Sequence, residues 1–259
     1  MTPNDQERFI GNVRSALRLS PNDTRCFQDL VAQASDEYAA LIPRIKNRSD
    51  AERLELLDRL IEEGKTLNLE VIPLPDAESV ASAIAQLVEE KEPEWGSTKS
   101  VVAWQHPLIE RLDLAKAMAG QKVPVYVTRL EHAPDGELPP DASRRRLRTQ
   151  VIDSFIGVTS ADFCLADTAT LVMKTRPNQP RSVSLVPSIH VAVIELRQII
   201  ENLGELYTLL KYDPVANAEG LTNCMTFISG PSKTGDIELV LIHGAHGPRE
   251  LHLYVITGS

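Results

Sequence analysis

Between Leu69 and Val127 short apolar runs alternate with amphipathic stretches, and that rhythm narrows the fold class more than any other feature of the chain. Leu69-Glu70-Val71-Ile72, Ser100-Val101-Val102-Ala103-Trp104 and Val123-Pro124-Val125-Tyr126-Val127 read as strands. Residues 76–90 read as a helix with Val80, Ile84, Leu87 and Val88 inward. A second helix opens near Pro107, where the missing N–H costs nothing. Strands and helices alternating through short loops predict parallel crossovers with helices covering a sheet.

The chain before residue 67 has a different rhythm. Residues 4–18, 25–46 and 50–64 carry apolar side chains at helical spacing, the third stretch capped by Asp50, with Leu54, Leu57, Leu60 and Ile61 on one face. This predicts an N-terminal helical arm over 1–66 with no chemistry on it, followed by an α/β domain over 67–259. The second half of that domain is richer in strands, at 163–166, 169–173, 190–194, 224–228, 238–242 and 251–256. One helix, about 196–210, interrupts them. Arg176-Pro177-Asn178-Gln179-Pro180 reads as a hairpin-like turn, and residues 131–141, with three prolines and a glycine, read as a loop able to act as a lid. The predicted whole is α/β, a mixed sheet preceded by helices.

With 259 residues, 42% of them hydrophobic, the chain is long enough to bury a large core. Its net charge of −9 repels nucleic acid and anionic membrane surfaces. The basic cluster Arg144-Arg145-Arg146-Leu147-Arg148 reads as a solvated helix face with the leucine turned inward. Cys26, Cys164 and Cys224 are far apart and none belongs to a Cys-x-x-Cys pair. That spacing argues against a disulfide framework, and against a zinc site or iron–sulfur cluster held by this chain alone. Cys164 and Cys224 lie in apolar runs and read as small buried hydrophobes. The first residues lack the pattern of a secretion signal, and no run reaches ~18 apolar residues, the length of a membrane span. A reducing, cytoplasmic setting is the expectation.

Four polar turns in the second half carry the candidate chemistry. The first is Gly157-Val158-Thr159-Ser160-Ala161-Asp162 followed by Ala166-Asp167-Thr168-Ala169-Thr170, where Asp167 reads equally as a pocket carboxylate or as an Asx-turn held by the neighbouring hydroxyls. In the stretch from Arg181 to His190, Ser182, Ser184 and His190 are candidate donors to a ligand oxygen. The Gly-x-Ser-x-Gly elbow of serine hydrolases is absent, and His190 reads more readily as a hydrogen-bonded core histidine than as a general base. In Gly230-Pro231-Ser232-Lys233-Thr234-Gly235-Asp236, Gly230 permits positive φ and close backbone approach. Ser232 and Thr234 can cap a turn, Lys233 offers charge to a phosphate or carboxylate, and Asp236 and Glu238 are alternative acid–base groups. Neither a Walker loop nor Gly-x-Gly-x-x-Gly is present. His243, His246 and His252 are close in sequence, but a glycine loop separates the first two, which disfavours a metal site. His246 and Arg249 read as polar-ligand contacts, with Arg249 the better anion partner because its fork binds carboxylates bidentately.

Taken together and in this order, the turns resemble the LUD domain of the lactate utilization protein C family. The matching segments begin at Gly157-Val-Thr-Ser-Ala-Asp-Phe, Leu165-Ala-Asp-Thr-Ala-Thr-Leu, Arg181-Ser-Val-Ser-Leu-Val-Pro-Ser-Ile-His, Ile228-Ser-Gly-Pro-Ser-Lys-Thr-Gly-Asp-Ile-Glu and His246-Gly-Pro-Arg-Glu-Leu-His. The resemblance covers about residues 155–256 strongly. Members usually show alanine where Gly235 stands, a mild departure. It implies a three-layer α/β/α domain like those of sugar-phosphate isomerases and CoA transferases. It also implies a part in oxidising L-lactate to pyruvate beside iron–sulfur partner proteins, which would hold the clusters. It supplies no catalytic residue. Three functions stay open: an accessory or substrate-binding subunit holding a small anion or nucleotide-like ligand at the strand ends, a stand-alone isomerase or acyl/CoA transferase, or a purely structural scaffold. Fold alone does not choose between them.

Overall fold

The computed structural model describes residues 8–9, 11–12, 35–94, 98–129, 132–133, 136–137, 140–218, 224–235, 241–243 and 246–258. Helix α1 (Ser35–Lys46) is followed by α2 (Asp50–Leu67), whose cap is Ser49 rather than Asp50. The Ser49 hydroxyl accepts the Glu52 N–H while the Glu52 carboxylate accepts the Ser49 N–H at 2.7 Å, so two orphan donors of the first turn are satisfied reciprocally. Asn68 ends α2 in the left-handed conformation, φ 59°. Strand β1 (Leu69–Leu74) then leads to α3 (Ala77–Glu90), capped by the Asp76 carboxylate on the Ser79 N–H at 2.8 Å. Strand β2 (Val101–Ala103), short helices α4 (Pro107–Glu110) and α5 (Leu114–Ala117), and β3 (Val125–Val127) complete the alternation read from the sequence.

A two-residue pairing of β4 (His132–Ala133) with β5 (Gly136–Glu137) lies in the proline-rich loop, whose last two residues, Pro140 and Asp141, already belong to the next helix; the rest of that loop falls outside the described residues. Helix α6 (Pro140–Asp153) exposes Arg144, Arg145, Arg146 and Arg148 and half-buries Leu147. After it come β6 (Ile156–Ser160), β7 (Phe163–Leu165), β8 (Thr170–Lys174), β9 (Ile189–Glu195) and β10 (Ile199–Ile200). Helices α7 (Leu203–Tyr212) and α8 (Pro214–Asn217), β11 (Met225–Ile228), β12 (Lys233–Gly235), β13 (Leu241–His243) and β14 (Glu250–Ile256) follow.

Six strands form one wholly parallel sheet in the order β1-β14-β9-β6-β2-β3. Period-2 side-chain alternation sends Val191, Val193, Tyr254 and Ile256 to a core shared with α3. Ala192, Ile194, Leu253 and Val255 point the other way, to a core containing Leu57 and Leu60 of α2. Helix α2, at the end of the predicted arm, therefore lies in the core beneath the sheet. The antiparallel pairings expected of a mixed sheet belong mainly to a second, four-stranded sheet, β10-β7-β8-β11, packed on that same face. Its outer surface, including Val172 and Ile200, is covered by Ile45 of α1 and by Leu206 and Leu209 of α7. Lys46–Asp213 at 2.6 Å and the Arg48–Glu205 pair fasten α1 and its following turn to the α7 region.

Three sequence expectations give way here. The helix read over 196–210 is a 3-10 turn, strand β10 and then α7, because Leu196, Ile199 and Ile200 bury into the second sheet and Asn202 caps the true helix. The turn at 176–180 closes a single antiparallel bridge, Arg176 with Gln179, and joins no second strand. It carries the chain from β8 to the 3-10 turn Arg181–Ser184, held by the Trp104 indole N–H on the Pro180 carbonyl at 2.9 Å. Cys164 is fully buried, and burial pushes its thiol up, but Cys224 is only half-buried. Among the described residues no helix is long and apolar enough to cross a membrane.

Candidate functional site

His190 is the second residue of β9 and Leu251, opposite it in the ladder, the second of β14. Both help to line a cleft of about 300 Å3 at the amino-terminal edge of the parallel sheet, facing β11 of the second sheet. Ligands of open parallel sheets usually lie at the carboxyl ends of the strands, so the site sits at the opposite edge from that rule. Ser184 and Leu185 supply one wall and Thr226 to Ile228 another. Residues 229–233 and 246–248 form the rest.

The sequence candidates divide on this geometry. Ser184, His190, Gly230, Ser232, Lys233 and His246 come together on the cleft. Thr170 reaches its margin, its Oγ1 2.7 Å from Oγ of Ser229. Asp167 and Thr168 lie farther along the β7–β8 turn, where Thr168 is exposed and Asp167 Oδ1 is buried with no partner among the described residues. Ser182 is in the 3-10 turn, its carbonyl accepting the N–H groups of Leu185 and Val186. Thr234 pairs with Ile242 in the β12–β13 ribbon, so part of the stretch read as a loop is strand, and Asp236 lies outside the described residues. Arg249 is held by Glu94 at 3.1 Å beside a second hollow of about 250 Å3. That hollow is acidic, lined by Glu94 and Asp153 with Ser154 and Ser188, and shares Leu185, His246 and Gly247 with the cleft.

His190 is the most constrained group. The residue is 1% exposed, Nε2 stands 2.8 Å from Thr159 Oγ1, and Nδ1 is buried with no partner among the described residues. Burial, reinforced by the charge of His252, pushes its pKa down to about 3, so the imidazole is neutral near pH 7. Because the Thr159 hydroxyl can donate or accept, either neutral tautomer of His190 is compatible with that bond, and Nδ1 can carry either a proton or a lone pair. Ser184 Oγ donates to the Arg181 carbonyl at 2.8 Å, which leaves no serine–histidine dyad. Among the described residues no group of three His, Cys, Asp or Glu is placed to hold a metal ion.

The turn at Gly230 fixes the cleft's outer wall. Its φ of 86° is left-handed, an added Cβ would stand 2.7 Å from the Leu67 carbonyl oxygen, and Ser232 N–H donates to the Pro248 carbonyl at 2.8 Å. Gly230→Ala is expected to destabilise the protein by about 1–3 kcal/mol and to loosen this wall, read by urea unfolding. A midpoint equal to wild type contradicts the close approach to α2. Sequence reading missed Thr159, Ser229 and the apolar lining from Leu185, Phe227, Pro248 and Leu251. Ser229 beside Gly230 was the one local signal available.

A family model described as the LUD domain matches residues 57–256. Lactate utilization protein C of Halalkalibacterium halodurans is 32% identical over 152 residues, 59% of this chain and 60% of that protein. The protein of the same name in Shouchella clausii is 26% identical over 207 residues, 80% of this chain and 81% of that one. That of an Exiguobacterium species is 37% identical over 111 residues, 42% of this chain and 45% of that one. The chain thus spans about half to four fifths of the length of these curated relatives. A crystal structure of a DUF162 family protein from Deinococcus radiodurans is similar with a TM-score of 0.47 and 19% identity, covering 81% of this chain and 99% of that one.

Proposed function

Because the chain belongs to the LUD domain family, we propose that it serves lactate utilization as a ligand-binding subunit of an L-lactate-oxidising assembly whose iron–sulfur clusters sit on partner proteins. One observation carries the binding role: Ser184, His190, Ser232, Lys233 and His246, from segments far apart in sequence, line a single cleft. The names of the relatives supply the substrate context. The cysteine count agrees with this division of labour, since three cysteines with no Cys-x-x-Cys pair are fewer than the four that a cluster usually takes. In this reading the cleft holds a small anion or nucleotide-like ligand, with Lys233 as the exposed cation at its mouth.

The test is reconstitution. The full chain, co-expressed with iron–sulfur proteins of a lactate-oxidising system, is expected to co-purify with them and to be required for lactate-dependent dye reduction. Lys233→Ala is expected to lower that rate about tenfold, as loss of one charge-assisted contact does, while leaving co-purification intact. A dye-reduction rate unaffected by omitting the chain sinks the proposal. The stand-alone transferase reading needs a nucleophilic carboxylate. Among the described residues no carboxylate lines the cleft itself.

A further inference from the structure

The interior of the cleft is mainly apolar, formed by Phe227, Ile228, Pro231, Pro248 and Leu251. At its floor lies the neutral His190, with one buried ring nitrogen unpartnered among the described residues. A carboxylate pushed down to that floor would lose its hydration and gain no countercharge, a large cost. The countercharge lies at the mouth, where Lys233 and His246 are exposed and, among the described residues, Lys233 is paired with no carboxylate. Beyond His246 the neighbouring hollow presents Glu94 and Asp153, which repel an anion and confine it to the Lys233 side. The volume of about 300 Å3 lies at the lower end of the range of pockets that enclose drug-sized ligands, far more room than lactate's handful of atoms fills.

Resting on the reading of this cleft as a ligand site, we infer that its occupant is a flat, ring-bearing anion of mononucleotide size rather than lactate itself. The ring lies along the apolar walls, an uncharged polar atom of its edge bonds His190 Nδ1, and the anionic group stays at the mouth beside Lys233. His190 suits either edge polarity, since its tautomer follows Thr159.

Calorimetric titration of the full chain decides this. The probes are AMP and FMN, their uncharged counterparts adenosine and riboflavin, and L-lactate and inorganic phosphate. At least one of AMP and FMN is expected to bind tenfold or more tighter than L-lactate and about tenfold tighter than its uncharged counterpart. Lys233→Ala should abolish the second difference, and His190→Leu should weaken charged and uncharged forms alike. If His190→Leu fails to fold, the counterparts and Lys233→Ala still decide. L-lactate binding as tightly as AMP and FMN overturns the inference and leaves the substrate-binding role standing. AMP and FMN both failing to bind, or binding without response to Lys233→Ala, also overturns it. Co-purification with iron–sulfur partners then judges the broader role separately.

Discussion

Replacing Gly157 with alanine is expected to destabilise the protein by about 3 kcal/mol or more, near the upper end of what single substitutions do. A Cβ on Gly157 would stand 1.9 Å from the Val183 carbonyl oxygen and 3.0 Å from Pro187 Cγ. The strand cannot retreat, because Gly157 is paired with Val102 on one side and His190 on the other. The 3-10 turn Arg181–Ser184 must therefore shift, and it carries the Ser184 and Leu185 wall of the cleft. Gly157→Ala should accordingly lower both the denaturation midpoint and ligand affinity, measured by urea unfolding and calorimetry. Stability within about 1 kcal/mol of wild type would mean that the turn is not anchored on β6 as described.

Acidification should unfold the protein earlier than its carboxylates alone would dictate. The folded state holds His190 near pKa 3, whereas an unfolded histidine titrates near 6.5. Below pH 6.5 the unfolded chain takes up a proton that the folded chain refuses, so stability is full above that pH and falls as pH drops towards 3. The slope for one such group approaches about 1.4 kcal/mol per pH unit. His106, lowered chiefly by burial, acts with the same sign. Carboxylates begin to titrate near pH 4.5, so the diagnostic range is pH 6.5 to 5. In urea titrations across that range, His190→Gln should flatten the slope by most of a proton's worth. Equal slopes for wild type and variant would refute a buried neutral imidazole.

Strands β1, β2 and β3 were legible because each is a compact apolar run beside good helix signals, whereas β6, with Gly157, Thr159 and Ser160, reads in sequence as a polar turn and is in fact a wholly buried strand of the same sheet. Val80, Ile84, Leu87 and Val88 all bury as their spacing foretells. In the second sheet β7, β8 and β11 were legible as the apolar runs 163–166, 169–173 and 224–228, but β10 was not. Leu196, Ile199 and Ile200 repeat at helical spacing, yet they bury as a 3-10 turn and a two-residue strand, a short run that periodicity alone cannot assign. Asn202 followed by Glu205 was the overlooked boundary, since the Asn202 side chain accepts the Glu205 N–H. Around the cleft, polar turn residues announced themselves through Gly230 and Lys233. The apolar walls did not, because Phe227 and Leu251 look in sequence like any other strand residues. Arg249 illustrates the remaining gap. A guanidinium after a glycine-proline turn suits an anion, but its partner Glu94 lies 155 positions away and no local pattern reveals it.

The strand order has a consequence for synthesis on the ribosome. Within the large sheet β1 pairs with β14 alone, Leu69 opposite Leu251, and β14 is also the strand that joins β1 to β9. Until residues near 250 leave the exit tunnel, the N-terminal strand has an unfilled hydrogen-bonding edge and α2 has no finished floor beneath it. Nascent chains stalled before that point should be sensitive to protease at β1 and sticky towards chaperones.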